Sequence, residues 1–407
     1  MSATPTLATI FAAPSPAQFF DEVFGVRCRH VVGAVPPQWT NERAARWHAR
    51  VDLGPVDAAS VDALGVQHQH ACAPDAIDER LSTQHTICAD VSRDPGLAPL
   101  LDELATWVPS ASEPPFAKLY ASHEQAGFAM HMDAHHVFVL QLRGHKRWTV
   151  SDAVVTAPLC GGKLLAGQPV HVWPHEGDPI VGDDGVPLQA PNPADLRVVE
   201  LAPGDGLYVP PGAWHATAAR GESLAISMSP GRAPLLRVVM ALLEQELVRR
   251  PAWRRDLVRG PAGAGLVAAS IRRALDHAVS ELRAVVHEVD GVLLQRAWAM
   301  TAFARLQAAQ LAARGEVRRS SVLVHADPRG FVLVVGDQAC HVSFAGGEIE
   351  LPLVAQRFLV ALGAHPRVRA DEVLSWDPAL DWDGARELLQ ALVDLGVLAM
   401  ADAGDRR

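Results

Sequence analysis

The residues best placed to do chemistry in this chain are two imidazoles and a carboxylate: His131 and Asp133 in His131-Met132-Asp133, and His215 far downstream. In a strand, residues i and i+2 project to the same side, so His131 and Asp133 can face one metal together. The third donor must arrive from another strand. Gly204-Asp205-Gly206-Leu207-Tyr208-Val209-Pro210-Pro211-Gly212-Ala213-Trp214-His215 supplies a Gly/Pro turn that would deliver His215 at the head of a new strand. Two imidazoles and one carboxylate on one face of a metal leave adjacent positions open, as mononuclear non-haem iron needs in order to bind a co-substrate and O₂. An isolated His-x-Asp is a frequent accident in a chain with 18 histidines; the surrounding pattern decides its meaning.

That pattern divides into three. Up to about Pro234 the chain is rich in short alternating strands, Gly/Pro turns and His, with helical spacing only near its start, at Pro16–Phe24 and Leu97–Val108. Val137-Phe138-Val139-Leu140-Gln141-Leu142, then Arg143-Gly144, then His145-Lys146-Arg147-Trp148-Thr149-Val150 reads as two strands of a hairpin around a glycine turn. Leu159–Asn192, full of Gly, Pro and Asp, reads as a long excursion between strands. Beyond Pro234, Leu235, Val238, Val239, Leu242 and Leu243 share one helical face, and Leu275, Val279, Leu282 and Val286 another, punctuated by Pro251 and Gly260-Pro261. From about Val317, strands at Ser321–Val324 and Gly330–Val335 and helices at Leu353–Leu362 and Asp383–Leu395 indicate a small α+β unit. The expected division is residues 1–233, 234–315 and 316–407.

Phe128-Ala129-Met130-His131-Met132-Asp133, the Val137–Trp148 segment and the Gly204–His215 segment together resemble the JmjC/cupin oxygenases, and within them the ribosomal-oxygenase branch. The close similarity runs from about Tyr120 to Ser229. It implies an α+β chain: a double-stranded β-helix (cupin/jelly-roll, JmjC) catalytic domain, a helical dimerisation domain and a winged-helix-like C-terminal domain. It further implies Fe(II) held by His131, Asp133 and His215, with 2-oxoglutarate and O₂ as co-substrates. In that family a cation on the strand after the His-x-Asp motif binds the far carboxylate of 2-oxoglutarate, and Lys146 stands in its place. A hydroxyl on the strand after the distal His helps hold the same group; Ser227 matches, with Ser229 as the alternative of equal parity. Tyr120 would line the pocket or pack in the core. The chain departs from the family where many relatives carry an Asn, near Lys118, and at His136, where relatives often have an acid near the pocket mouth.

Composition narrows the partners. A formal charge of −10 argues against a broad grip on nucleic acid, which needs clustered bases to displace counterions. The pairs Arg249-Arg250, Arg254-Arg255 and Arg272-Arg273 lie among acids and read as solvated helix faces. Cys28, Cys72, Cys88, Cys160 and Cys340 are scattered without a CxxC, which fits a reducing compartment. His68-x-His70-x-Cys72 has alternating ligand types but no fourth ligand nearby, so it reads as an unliganded segment rather than a zinc site. The start of the chain lacks a secretion signal and no apolar run reaches the ~18 residues of a membrane span; a cytoplasmic protein with no membrane contact is expected.

These readings converge on a hydroxylase of side chains in a protein or peptide, either a ribosomal protein or the precursor of a peptide natural product, acting as a homodimer. Two other classes remain: a cupin metalloenzyme that acts on a small molecule without 2-oxoglutarate, and a non-catalytic, dimeric peptide-binding module.

Overall fold

The computed structural model describes residues 5–401, apart from residues 14, 63–65, 84, 109, 111–112, 173–175, 183, 233, 255, 257–268, 304–314, 328–329 and 378–379. Gly260-Pro261 and Arg255 therefore lie outside the described residues. The chain divides into two compact units, Met1–Arg232 and Ala233–Arg407.

The first unit is built on antiparallel strands: β1 (Arg29–Val31), β2 (Val56–Val61), β3 (Gln67–Ala71), β4 (Thr86–Asp90), β5 (Phe116–Ser122), β6 (Gly127–Met132), β7 (Val137–Val154), β8 (Gly162–Leu165), β9 (Gln168–His171), β10 (Leu196–Leu201), β11 (Gly206–Val209) and β12 (Ala213–Ser229). They form a 12-stranded sheet with the path β1-β11-β7-β12-β5-β4-β2-β3; β10 pairs with β7, and β6 bridges β12 and β8. Four helices accompany them: α1 (Pro16–Glu22), α2 (Pro37–His48), α3 (Ile77–Ser82) and α4 (Ala98–Trp107). Ser15 caps α1 by accepting the Gln18 amide, ahead of Pro16 at the first helical position. Leu100, Leu101 and Leu104 of α4 are buried, as their spacing requires.

Phe19, Trp107, Phe138 and Tyr208 interlock, with ring centroids 5.6 Å apart for Phe19–Tyr208 and 4.9 Å for Phe138–Tyr208. Phe19, Phe138 and Tyr208 are fully buried and each such side chain is worth roughly 1.5–3 kcal/mol, so the leader helices form a rigid backing for β7 and β11. His136 belongs to this cluster and not to a pocket mouth. Its ring stacks on Phe24 at 4.1 Å, and its Nδ1 lies 2.8 Å from the Tyr208 hydroxyl. That hydroxyl also accepts the Gly25 amide at 2.7 Å, so its proton goes to His136. Burial lowers the His136 pKa to about 4, consistent with an accepting, neutral ring.

The hairpin expected around Arg143-Gly144 does not form. Val137–Val154 is one strand of 18 residues, paired along its length with the 17-residue β12. Gly144 takes φ +62° without reversing the chain, and Leu224↔Arg143 is followed by Arg220↔His145, so three residues of β12 loop over one of β7. A Cβ at Gly144 would fall 1.7 Å from the Glu222 carbonyl oxygen. The glycine thus allows a close backbone approach and a bend rather than a turn. The Leu159–Asn192 excursion contains order that its composition hides: β8 and β9 form a hairpin, and β8 pairs with β6 at His131↔Lys163.

The second unit contains helices α5 (Leu235–Val248), α6 (Ala269–Glu288) and α7 (Gly291–Phe303), then β13 (Val322–His325), β14 (Val332–Val335), β15 (Ala339–Phe344), β16 (Gly347–Pro352), α8 (Gln356–Ala364), β17 (Arg367–Arg369), α9 (Trp382–Leu395) and β18 (Leu398–Met400). The strands make two three-stranded antiparallel sheets, β17-β13-β18 and β14-β15-β16. Asp381 caps α9 through the Gly384 amide and Gly396, at φ 82°, ends it. Arg249 pairs with Glu246 at 3.1 Å, as a solvated helix face would. No helix among the described residues is long and apolar enough to cross a membrane.

Candidate metal centre

His131, the penultimate residue of β6, stands directly opposite His215 near the head of β12. Asp133 follows immediately after β6. The turn before β12 is held at both ends. Asp205 accepts the amides of Gly33 at 2.9 Å and Ala202 at 3.0 Å, while Gly212, at φ +79°, donates to the Asp133 carbonyl at 2.8 Å. The two ligand-bearing segments are therefore stitched to each other as well as to the sheet.

One ligand atom from each of His131, Asp133 and His215 lies within 4.8 Å of the other two, the one such cluster found among the described residues. The imidazole centroids are 4.1 Å apart, and His215 Nε2 is 3.6 Å from Asp133 Oδ2. His131 Nδ1 lies 2.8 Å from the Ala129 carbonyl and His215 Nδ1 2.9 Å from that of Ala213. A carbonyl only accepts, so each Nδ1 carries the proton and each Nε2 turns a lone pair towards the shared space. Burial, with His131 acting in the same direction, brings His215 down to about 4, so it is neutral at pH 7. Burial would raise the Asp133 carboxyl, but His135, His131, His215 and Lys118 together outweigh it and hold it below the ordinary value. Two neutral nitrogens and one anionic oxygen suit a divalent cation.

The cluster opens onto a cavity of about 370 Å³. Tyr120, Lys146, Ser227 and Ser229 all line it, as do Lys118 and Trp148. Lys146 is 2% exposed, and its ammonium meets no carboxylate among the described residues; Nζ donates to Ser122 Oγ at 3.0 Å and lies 5.8 Å from the Tyr120 ring centroid. Burial lowers its pKa to about 8. A buried cation without a counter-ion is costly, and a bound carboxylate would offset that cost. Trp148, stacked on His215 with centroids 5.6 Å apart, has a buried indole N–H with no acceptor among the described residues. Both are donors in want of an anionic or carbonyl oxygen. Burial also raises Tyr120 well above its usual pKa, so its phenol keeps its proton.

The hydroxyl that Lys146 contacts is that of Ser122. Ser227 pairs with Lys118 on β5, four residues from Ser122 and so about 13 Å along the strand at ~3.3 Å per residue. Ser122 shares the parity of Lys118 and Tyr120 on β5, and Trp148 that of Lys146 on β7; both could have been read from alternation. Gln67 and Gln69 of β3 also line the cavity, and nothing in their local sequence marks them. His135 lines it too, facing Phe116 at 5.6 Å, outside the ligand cluster. His68 bonds to Asp62 at 3.0 Å, away from any ligand group.

Residues 100–171 and 173–237 match the family model of the JmjC domain. The Bacillus subtilis protein YxbC is 29% identical over 138 residues, which make up 32% of this chain and 38% of that relative's length. Escherichia coli YcfD, described as a ribosomal oxygenase and solved in complex with cobalt and 2-oxoglutarate, aligns over 96% of this chain and 99% of its own with 17% identity and a TM-score of 0.45. Its complex with cobalt and succinic acid aligns with a TM-score of 0.44 at the same identity.

Proposed function

Since the chain carries a JmjC domain, we propose that the protein is an Fe(II)- and 2-oxoglutarate-dependent dioxygenase that hydroxylates a side chain of a protein or peptide. The observation that carries this reading is the pairing of a two-imidazole, one-carboxylate cluster with a buried ammonium that lacks an anion, in one cavity. That ligand set, with positions left open, is the one non-haem Fe(II) oxygenases use.

His131, Asp133 and His215 would hold the iron, which together with 2-oxoglutarate and O₂ supplies the oxidising chemistry and yields succinate and CO₂. The protein's own part is placement. The carbonyls of Ala129 and Ala213 fix the imidazole tautomers, so metal entry requires no proton to leave either Nε2. Lys146, steadied by Ser122, would take the far carboxylate of 2-oxoglutarate, with the protonated Tyr120 beside it. Ser227 and Lys118 line the same cavity at the other end of the strand pair.

The substrate class rests on the resemblance of the Phe128–Asp133, Val137–Trp148 and Gly204–His215 segments to the ribosomal-oxygenase branch. The acidic balance of the chain suits a basic partner. We read the chain as catalytic (1–233), helical (234–315) and winged-helix-like (316–407) parts of a cytoplasmic homodimer. Leu235 at 70% and Leu236 at 66% exposure on α5 supply apolar surface for pairing. The decisive experiment incubates iron-loaded protein with 2-oxoglutarate and purified bacterial ribosomal proteins, following succinate and the mass of one added oxygen atom. Succinate that never rises above a metal-free control would end the oxygenase reading.

A further inference from the structure

β3 is the terminal strand of the sheet, paired among the described residues with β2 alone. The phase of that pairing can be worked out. Cys72 donates to the Val56 carbonyl and Asp62 to that of Val66, and both pairs fall on the β2–β3 register, in which Asp57 faces Ala71 and Val61 faces Gln67. Hydrogen-bonded and non-hydrogen-bonded pairs alternate in an antiparallel ladder. His68 and His70 therefore bond inward to β2, while the N–H and C=O groups of Gln67, Gln69 and Ala71 point away from the sheet. Among the described residues no backbone group answers them.

Gln67 and Gln69 are also the β3 residues whose side chains line the catalytic cavity. Gln69 is held in place by a 3.1 Å hydrogen bond to Asp57. Open edges in natural sheets are usually protected by Lys, Pro, bulges or a covering element. The strand Gln67-His68-Gln69-His70-Ala71 has no Lys or Pro, runs in unbroken register and is exposed from His68 onward. An unguarded edge whose free amides belong to cavity-lining residues is placed to receive a chain, not merely tolerated.

We infer that an extended segment of the polypeptide substrate docks as an added strand on the free edge of β3, its main chain bonded to Gln67 and Gln69; this rests on the oxygenase reading above. An extended peptide is the ligand whose donors and acceptors repeat at the spacing of that edge. Alternate side chains of the added strand share the face of Gln67 and Gln69 and so overhang the cavity. A long side chain at one such position then reaches towards the metal cluster. Specificity comes from that side chain and its i±2 neighbours, and affinity from the main chain.

The test takes the full chain loaded with cobalt(II) and 2-oxoglutarate and selects binders from a random-sequence peptide library. Amide hydrogen exchange is then measured with and without a selected peptide, and the affinity is compared across wild type, Gln69→Ala and Gln69→Pro. Proline is tolerated on an edge strand where its missing N–H faces solvent, so Gln69→Pro should fold, as its thermal melt will verify. Expected are slowed exchange at Gln67 and Gln69, and an affinity in Gln69→Pro lower than in Gln69→Ala by on the order of fivefold or more, the value of one main-chain hydrogen bond. Unchanged exchange at those amides, equal binding by Gln69→Pro, or a selection that returns no peptide would overturn the docking. Failure to bind cobalt and 2-oxoglutarate would instead count against the oxygenase reading, since peptide docking on β3 is scored by its own amides.

Discussion

The backbone amide of Gly212 donates to the carbonyl of Asp133 at 2.8 Å, so the residue that carries the carboxylate is tied to the turn that launches the strand of His215. A Cβ at Gly212 would sit 2.0 Å from the Val155 carbonyl oxygen, on a backbone with φ +79°. Gly212→Ala should therefore cost about 2 kcal/mol or more of stability, and it should also weaken metal binding because it displaces Asp133. Chemical denaturation and a cobalt titration of the same sample check both; a destabilised variant with unaltered metal affinity would show that the tie does not govern the ligand geometry.

Replacing any one of His131, Asp133 or His215 by Ala removes a donor outright. Changes to the partners that merely orient ligands cost 10- to 100-fold in metal affinity, so loss of a ligand itself should exceed about 100-fold. Isothermal titration with cobalt measures this directly. Near-wild-type affinity in any of the three variants would show that the residue is not a ligand.

Lys146→Met makes a double prediction. It removes a buried, uncompensated cation, so the ligand-free protein should become more stable, while its affinity for 2-oxoglutarate falls by at least tenfold. Thermal melts with and without the co-substrate separate the two effects. A variant that is both less stable and unimpaired in binding would reverse the assignment.

The same lysine sets a pH dependence. Free, it titrates at about 8; a bound carboxylate favours the charged form and raises that value. Affinity for 2-oxoglutarate should be flat below about pH 8 and fall above it by up to about tenfold per unit as the free protein loses the proton that binding requires. Fluorescence titrations from pH 7 to pH 9.5 follow it, and the fall should vanish in Lys146→Met. The folded, ligand-free protein binds fewer protons than the unfolded chain between about 8 and the ordinary lysine value, so its stability should rise with pH across that window.

Tyr208→Phe tests the reassignment of His136. The hydroxyl accepts from Gly25 and donates to His136, so its loss should cost about 1–3 kcal/mol of stability by leaving buried partners unmet. Metal and 2-oxoglutarate affinities, measured on the folded variant, should stay at the wild-type level.

The convergence of His131, Asp133 and His215 was legible because a period of two and a Gly/Pro turn constrain where three side chains can point. The burial of Lys146 in the same cavity was not legible from the residues themselves, since a buried and a solvated lysine look alike in sequence. The unbroken course of β7 was not legible, because Arg143-Gly144 carries the same local signal whether the glycine reverses a chain or lets another backbone pass close by; the bulge in β12 that decides it lies about eighty residues away. Alternation puts Ser122 on the face of Tyr120, but its meeting with Lys146 is made by tertiary pairing. His136 was misplaced because its partners, Phe24 and Tyr208, come from opposite ends of the first unit.

The excursion between Leu159 and Asn192 leaves from the end of β7 and returns on β10, which lies against β7 through the pairing Leu196↔Ser151. Its two feet stand on neighbouring rungs of one ladder, while its middle leans on the His131–Asp133 segment through β8, paired with His131 and Met132, and through Ile180 and Leu188, packed with Met132 and Trp214. The stretches of the detour outside those contacts can change in length and sequence while His131, Asp133 and His215 keep their places, which makes them the part of the molecule where a new clientele can be acquired without rebuilding the chemistry.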